Sequence, residues 1–330
     1  MVGFAVSLLP VFCFLVGLVA LDSFKLVPFR KILLAIAYGL AVAIVSYFVN
    51  GGVVGAGIER EVLYRYVAPA VEEALKAGLV FGLLARNRIG FVVDAAILGF
   101  AVGAGFAAVE NTYYLTSLEG ATIFVWLIRG FGTAIMHGGA TAIYATITKP
   151  LFDRAQKPLM LFPGLLVAYV LHSLYNHIFV PPVASTALLL IALPLLLGIA
   201  FQQSERLTRD WLGVGFDSDQ ELLELIKTGN ISETRVGRYL QSLREHFSGE
   251  IIADMLCWLR IQVELSIKAK GVMLLREAGF KPSPDPLTRA KLEELRYLES
   301  SIGKTGLMAV SPIVRASRRD VWQMQLLDNN

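Results

Sequence analysis

Ionisable residues that lie within long apolar stretches are the residues of this sequence best suited to chemistry. A charge near the centre of a bilayer costs roughly 2.5–3.5 kcal/mol on insertion scales, so several charges facing lipid cost on the order of 10 kcal/mol. These side chains must therefore face one another or a water-filled cavity, where carboxylates and imidazoles can carry out acid–base chemistry or pass ions. They are Glu72, Glu73, Lys76, Glu110, His137 and His172.

The first motif is the segment 72–76, which reads Glu-Glu-Ala-Leu-Lys. On a helix, Glu72 and Lys76 share one face, and Glu73 lies roughly 100° around the axis. One carboxylate can then pair with the Lys76 ammonium while the other points into the cavity. Two acids held in different surroundings leave one of them usable as a base near neutral pH.

The second and third motifs combine an acid or an imidazole with an amide. In the second, Phe106 lies one turn before Glu110, and Asn111 follows. Glu110 could bind a metal ion, hold a water molecule or position a histidine. In the third, His172 and Asn176 share one helix face. His172 can bind a metal or donate to a developing oxyanion, and Asn176 can orient the imidazole or bind substrate.

Two further histidines are ambiguous on spacing alone. His137 is followed by Gly138 and Gly139, which allow close approach of backbone or substrate. Its spacing leaves a catalytic role and a structural role equally open. His177 lies roughly 140° around the helix from His172, so we expect it to face away from the site.

Composition is typical of a membrane protein. The chain has 330 residues, of which 55% are hydrophobic, and its mean hydropathy of +0.59 is too high for an ordinary soluble protein. A membrane-spanning helix needs about 20 mostly apolar residues. We therefore predict an all-α polytopic fold with about seven spans, at residues 3–20, 32–50, 67–84, 91–116, 121–148, 159–179 and 183–201.

Charge divides the chain into two parts. Residues 1–201 hold 12 Lys/Arg and 9 Asp/Glu, whereas residues 202–330 hold 18 of each. We predict a transmembrane domain over 1–201 and a mostly helical cytoplasmic domain over 202–330. Because this second domain has no net charge, it offers no basic face for nucleic acid. A cytoplasmic partner for it stays open.

The orientation in the membrane follows from Lys and Arg in the short loops, which are enriched on the cytoplasmic side. One set of loops holds ten such residues and the opposite set holds two, Arg60 and Arg65. This predicts an N-terminus outside the cell membrane and a C-terminus in the cytoplasm. At about 1.5 Å per residue, the three acids and His172 then lie roughly 8–11 Å below the outer edge of the membrane core, with His137 deeper.

The order of these motifs resembles the PrsW family, which comprises polytopic intramembrane proteases distantly related to CAAX prenyl proteases and bacteriocin-processing enzymes. The resemblance covers about residues 60–180, with each motif in a different predicted span. CAAX-type relatives typically have Glu-Glu-x-x-x-Arg and a histidine where Glu110 stands, so Lys76 and Glu110 favour the PrsW branch. The motifs are Glu-Glu-x-x-Lys at 72–76, Phe-x-x-x-Glu-Asn at 106–111, His137, and His-x-x-x-Asn at 172–176.

The resemblance implies hydrolysis of a peptide bond in a membrane-anchored protein, such as an anti-sigma factor, near the outer side of a bacterial cell membrane. It implies that Glu72 or Glu73 activates water while the other pairs with Lys76. Glu110 and His172 would position the water or a metal ion, and His172 together with Asn176 would stabilise the oxyanion. The supporting residues are Lys76, Phe106, Asn111, His137 and Asn176.

The sequence leaves open whether the site binds a metal ion and whether the protein is an enzyme. Zinc could be held by His137, His172 and Glu110, but the sequence has no His-Glu-x-x-His helix, and the CAAX relatives favour a metal-free glutamate mechanism. An ion- or proton-coupled transporter, or a non-catalytic membrane receptor or scaffold, could also hold such residues. A transporter needs charges spread through the membrane thickness. Here they gather at one depth, which favours an enzyme.

Overall fold

The computed structural model describes residues 2–118, 120–280, 282, 285–314 and 318–328. These residues form helices and turns, with no β-strand among them, which confirms the predicted all-α class. The chain divides into two compact units, Met1–Glu205 and Arg206–Asn330. Each unit is built from helices that bury apolar side chains against one another.

The first unit contains the helices that carry the motifs. Two short π-helical turns, Leu63–Val67 and Arg129–Thr133, lead directly into two of these helices. A 3₁₀ turn, Pro158–Leu161, leads into a third. The helices are α1 (Val2–Leu21), α2 (Phe29–Gly55), α3 (Arg60–Val62), α4 (Ala68–Ala85), α5 (Val92–Ser117), α6 (Ile123–Ile128), α7 (Ala134–Ala155), α8 (Phe162–His177) and α9 (Pro182–Thr228).

Within the described ranges, six helical stretches are long and apolar enough to cross a membrane. The predicted third span, α4, is not one of the six because its 18 residues include Glu72, Glu73 and Lys76. The count of seven is therefore not confirmed. Glu73 and Lys76 are buried in the protein interior, so these charges do not face lipid.

The last membrane helix also differs from its predicted length. The predicted span ends at residue 201, whereas α9 has 47 residues and continues to Thr228. Gly229, with a φ of +77°, follows its last residue. Glycine readily adopts this left-handed conformation, which commonly terminates helices.

Helix α5 is the most buried membrane helix of the first unit, and every residue from Asp94 to Ala107 is buried. Glycines on α5 allow neighbouring helices to pack this closely against it. A Cβ added at Gly103 would lie 2.2 Å from the carbonyl oxygen of His137, so the α5 and α7 backbones meet there directly. Glu110 lies two turns further along α5, on the same face as Gly103. This packing sets His137 beside Glu110.

The second unit contains the end of α9, from Arg206 onward, and the four remaining α-helices. Its core follows a stripe on one of them that includes Met255, Trp258, Leu259 and Val263. The buried Lys270 ammonium donates a hydrogen bond to Asp219 at 2.5 Å. These helices are α10 (Arg235–Ser242), α11 (Gly249–Glu277), α12 (Pro286–Val310) and α13 (Arg318–Asp328).

Candidate active site

Four helices bring the predicted site residues together inside the first unit. Helix α4 contributes the acid pair and Lys76, α5 contributes Glu110, α7 contributes His137 and α8 contributes His172. Both α4 and α7 begin at a π-helical turn. Such turns shift the side chains that follow around the helix axis and occur frequently at functional sites.

Glu73 is the most tightly held acid of the cluster. One of its carboxylate oxygens, Oε1, accepts a hydrogen bond from Lys76 Nζ at 2.5 Å and lies 2.8 Å from His172 Nδ1. An ionised carboxylate only accepts hydrogen bonds, so His172 Nδ1 carries a hydrogen, and in the neutral ring Nε2 then keeps its lone pair. Glu73 therefore fixes the tautomer and the orientation of the His172 ring.

Glu72 has looser surroundings than Glu73. Its Oε1 accepts a hydrogen bond from Asn50 Nδ2 at 3.2 Å, and its Oε2 lies 3.9 Å from His172 Nε2. The Glu72 side chain is 14% exposed, against 1% for Glu73. The ammonium of Lys76 thus pairs with Glu73, three residues away, and Glu72 is the more exposed of the two adjacent acids.

His137 belongs to the same cluster. Its Nε2 lies 2.7 Å from Glu110 Oε2, and its Nδ1 lies 3.1 Å from Lys76 Nζ. Since an ammonium only donates, Nδ1 is the acceptor and Nε2 donates to Glu110. The rings of His137 and His172 are perpendicular, with centroids 4.8 Å apart. Spacing alone left the role of His137 open, and the fold places it at the centre.

Glu110 also lies close to a second cation, the guanidinium of Arg129. Arg129 Nη2 lies 3.6 Å from Glu110 Oε1, and Arg129 Nε donates to Asn111 Oδ1 at 3.0 Å. The Asn111 amide in turn donates to the Ser7 carbonyl at 2.8 Å. Asn111 therefore supports Arg129 rather than touching the histidines. Phe106 covers the other side of the cluster, with its ring centroid 4.5 Å from Lys76 Nζ.

Asn176 was predicted either to orient the His172 ring or to bind substrate, and its amide hydrogen bond goes to neither. Its amide donates to the Tyr64 carbonyl at 2.9 Å, and the neighbouring Ser173 hydroxyl donates to the Arg65 carbonyl at 2.6 Å. Both bonds tie α8 to the π-helical turn before α4. His177 lies outside the cluster, as expected.

Sequence reasoning left Asn50 and Arg129 out of the site. Arg129 is a charged residue inside an apolar span, for which the sequence suggests a counter-ion or snorkelling role but no place in the site. Asn50 lies at the end of the predicted second span, and nothing in its spacing connects it to Glu72, 22 residues later. Their contribution depends on how the helices pack.

The cluster includes three side chains that could hold a metal ion. Ligand atoms of Glu72, His137 and His172 all lie within 4.8 Å of one another. The predicted set had Glu110 in place of Glu72, but the Glu110 carboxylate is bonded to His137 Nε2. Two histidines and a glutamate form a common ligand set of catalytic zinc sites. Each imidazole also bonds a carboxylate through its other nitrogen, the usual support for a zinc-bound histidine.

Long apolar helices around a group of carboxylates and imidazoles define a polytopic membrane protein with a site suited to acid–base or metal chemistry. Comparison with known families identifies it more closely: the family described as PrsW family intramembrane metalloprotease matches residues 27–199. This match covers more than half of the chain, so the chain belongs to the PrsW family. No curated protein and no solved structure gives a significant match.

Family membership confirms the predicted resemblance and the predicted class of activity. The chain is an integral membrane protein and an intramembrane protease, and its substrate is a membrane protein within the lipid bilayer. The family description also specifies a metalloprotease. Glu72, His137 and His172, of which the two histidines are buried, have the donor chemistry for a metal ion.

Proposed function

We propose that this protease cleaves a membrane-anchored protein with Glu72 as the carboxylate that activates the attacking water. The contrast between the two adjacent acids carries this proposal. Glu73 is occupied by Lys76 and His172, whereas Glu72 is more exposed and accepts a single, longer hydrogen bond from Asn50. A general base must have room to approach a water and accept its proton. Glu72 meets both conditions better than Glu73.

We further propose that Glu72, His137 and His172 hold a divalent metal ion, with zinc favoured by the donor set. Glu72 would bind the ion through one carboxylate oxygen and keep the other to accept the proton of the water. A zinc ion bound there would supply a hydroxide nucleophile near neutral pH and polarise the scissile carbonyl. The prediction leaned towards a metal-free mechanism, and the family description and the two supported histidines favour the metal instead.

The remaining acids have positioning roles in this proposal. Glu73 keeps the hydrogen of His172 on Nδ1, so that the Nε2 lone pair faces Glu72. Glu110 does the same for His137 from the opposite side, with the hydrogen on Nε2. Arg129 balances the charge of Glu110. The site is thereby assembled before substrate arrives, and little reorganisation is needed during the reaction.

An apolar cavity of about 320 Å³ lies one helical turn from the cluster and suits the apolar residues of a membrane-embedded substrate. Its walls include Thr133, four residues before His137, and Tyr175, three residues after His172. Arg129 also lines it. We propose that a large side chain of the substrate enters this cavity while the scissile bond lies at Glu72.

The location of the cut is part of the same proposal. The Lys/Arg distribution supports an N-terminus outside, a cytoplasmic C-terminus and a site near the outer side of a bacterial cell membrane. A membrane-anchored anti-sigma factor would be a substrate of this kind, as the family resemblance implies. The second unit, which lies outside the matched residues, would then face cytoplasmic partners.

Cleavage of membrane-anchored reporters by the full chain in liposomes tests the proposal. The reporters carry varied juxtamembrane sequences. Glu72→Gln should abolish cleavage, whereas Glu61→Gln, which changes an exposed acid of the same unit, should leave it intact. A zinc chelator should stop cleavage, and added zinc should restore it. Cleavage by Glu72→Gln would overturn the role of Glu72, and cleavage that survives the chelator would overturn the metal.

A further inference from the structure

Lys76 lies at the nitrogen through which His137 would bind a metal ion. Glu110 holds the Nε2 of His137 at 2.7 Å, so Nδ1 is the nitrogen available for a metal. That nitrogen lies 3.1 Å from Lys76 Nζ. An imidazole lone pair can accept an ammonium hydrogen or bind a metal ion, but it cannot do both.

The Lys76 ammonium is well stabilised in this position. Its side chain is fully buried, and it bonds to Glu73 at 2.5 Å in addition to His137. Its Nζ also lies 4.5 Å from the centroid of the Phe106 ring, a favourable cation–π distance. A carboxylate, an imidazole and an aromatic ring thus surround one ammonium, an arrangement that compensates for its burial.

A metal ion and the ammonium would repel each other strongly at this separation. Both are cations, and the side chains around them, Glu73, His137 and His172, are buried, so their charges are weakly screened. Glu73 can keep its hydrogen bond to Lys76 if the ammonium moves away from His137, because Glu73 lies three residues before it on the same helix. Such a movement would free Nδ1 without breaking the ion pair.

We propose that Lys76 competes with the metal ion for His137 Nδ1 and thereby sets the metal affinity of the site. Lys76 occupies Nδ1 in the metal-free protein, which keeps the cluster assembled, and it moves away when the metal binds. Lys76 is a positioning residue in this scheme, and a divalent transition metal such as zinc is its competitor. The inference rests on the proposed metal set of Glu72, His137 and His172.

Zinc binding to the purified full chain in detergent tests this inference directly. The affinity is measured by competition with a chromophoric chelator, and the stoichiometry by elemental analysis. Lys76→Met keeps most of the side-chain volume but removes the charge, so zinc should bind at least tenfold more tightly than in the wild type. Lys76→Gln, which can still donate to Glu73, should show a gain in the same direction. Lys76→Arg should show none.

Lys149→Met is the matched control. Lys149 is also buried and pairs with an acid on its own helix, Asp153, at 2.5 Å, but it lies three turns beyond His137. The control should bind zinc as the wild type does. Adding His137→Ala to Lys76→Met should remove the gain, because the competition is for that imidazole. A purely structural role of Lys76 would not produce this dependence on His137.

Three results would overturn the inference. They are an equal or weaker zinc affinity in both neutral variants, a gain that persists with His137→Ala, and the absence of zinc binding in every variant. Reporter cleavage measured on the same preparations separates this failure from failure of the proposed function. If the wild type cleaves but Lys76→Met gains no affinity, the protease assignment stands and the competition does not.

Discussion

Replacing Glu73 by glutamine tests whether a buried ion pair holds the site together. Glutamine has nearly the shape of glutamate but lacks the charge that pairs with the Lys76 ammonium. The change leaves Lys76 fully buried and without its counter-ion. It also removes the carboxylate that accepts from His172 Nδ1 at 2.8 Å. Stability and histidine orientation should therefore both suffer.

The magnitude follows from the burial of both partners. Removing one partner of a buried ion pair costs about 3–5 kcal/mol, because the other charge stays buried and uncompensated. We expect Glu73→Gln to lower the free energy of unfolding by this amount. The double variant Glu73→Gln/Lys76→Met buries no unpaired charge at these positions, so it should be more stable than Glu73→Gln alone.

Reversible unfolding of the full chain in mixed micelles, with increasing denaturing detergent, gives the required free energies. Glu61→Gln is the control, since Glu61 pairs with Arg65 at 2.6 Å but its side chain is 67% exposed. Loss of such an exposed pair costs about 0–1 kcal/mol. The same preparations provide the zinc affinity and the cleavage rate.

Two outcomes would refute this reasoning. The first is a loss of stability in Glu73→Gln no larger than that in the control, which would show that the ion pair contributes little. The second is a double variant less stable than Glu73→Gln, which would show that the packing of Lys76 matters more than its charge.

Three further substitutions test the helix packing, the apolar cavity and the pH dependence of stability. Gly103→Val should separate α5 from α7 and reduce both thermal stability and cleavage, since even a Cβ there would lie 2.2 Å from the His137 carbonyl oxygen. Gly17→Val is the control, because Gly17 has open space around it. Equal losses in the two variants would contradict the expectation. Ser185→Trp should fill the apolar cavity. Cleavage should then slow more for reporters with large apolar residues near the cut than for reporters with small residues there. Equal slowing of both reporter sets would argue against a substrate cavity. Burial raises the pKa of Asp22, in the loop after α1, above its ordinary value. The folded state then binds this proton more tightly than the unfolded state, so stability should fall as the pH rises through the raised pKa, and Asp22→Asn should flatten that slope in unfolding measured against pH.

The sequence predicts which residues are unusual better than it predicts how they pair. Charges inside apolar stretches identify Glu73, Lys76 and Glu110 because burying them costs so much free energy. Their partners depend on the rotation and height of each helix, which hydropathy does not determine. The side chain of Asn176 consequently faces Tyr64 rather than the His172 ring.

Glycine spacing gives part of this missing information. The Gly99 and Gly103 pair indicates a face on which another helix can pack closely, and α7 packs there. The sequence does not indicate which helix packs on that face. The position of His137 beside Glu110 therefore becomes clear only from the fold.

The balance of charge inside the cluster connects the acids, Lys76 and the metal. Glu72, Glu73 and Glu110 face two cations, Lys76 and Arg129. His137 is neutral because its Nδ1 accepts from Lys76, and His172 is counted as neutral, with its one hydrogen on Nδ1. One carboxylate is thus in excess of the cations when all three acids are ionised. A buried site with such an excess favours a bound proton or a bound cation.

Among the described residues, Glu72 is the acid of the cluster with no Lys or Arg within ion-pair distance, and its neighbour at 3.9 Å is the His172 imidazole. The excess negative charge therefore lies where the water or the metal would be. Neutralising Lys76 would increase this excess and strengthen the attraction for a metal ion. Neutralising Glu72 would remove it. Zinc affinity should therefore change in opposite directions in Lys76→Met and Glu72→Gln, whereas a general loss of packing would weaken binding in both.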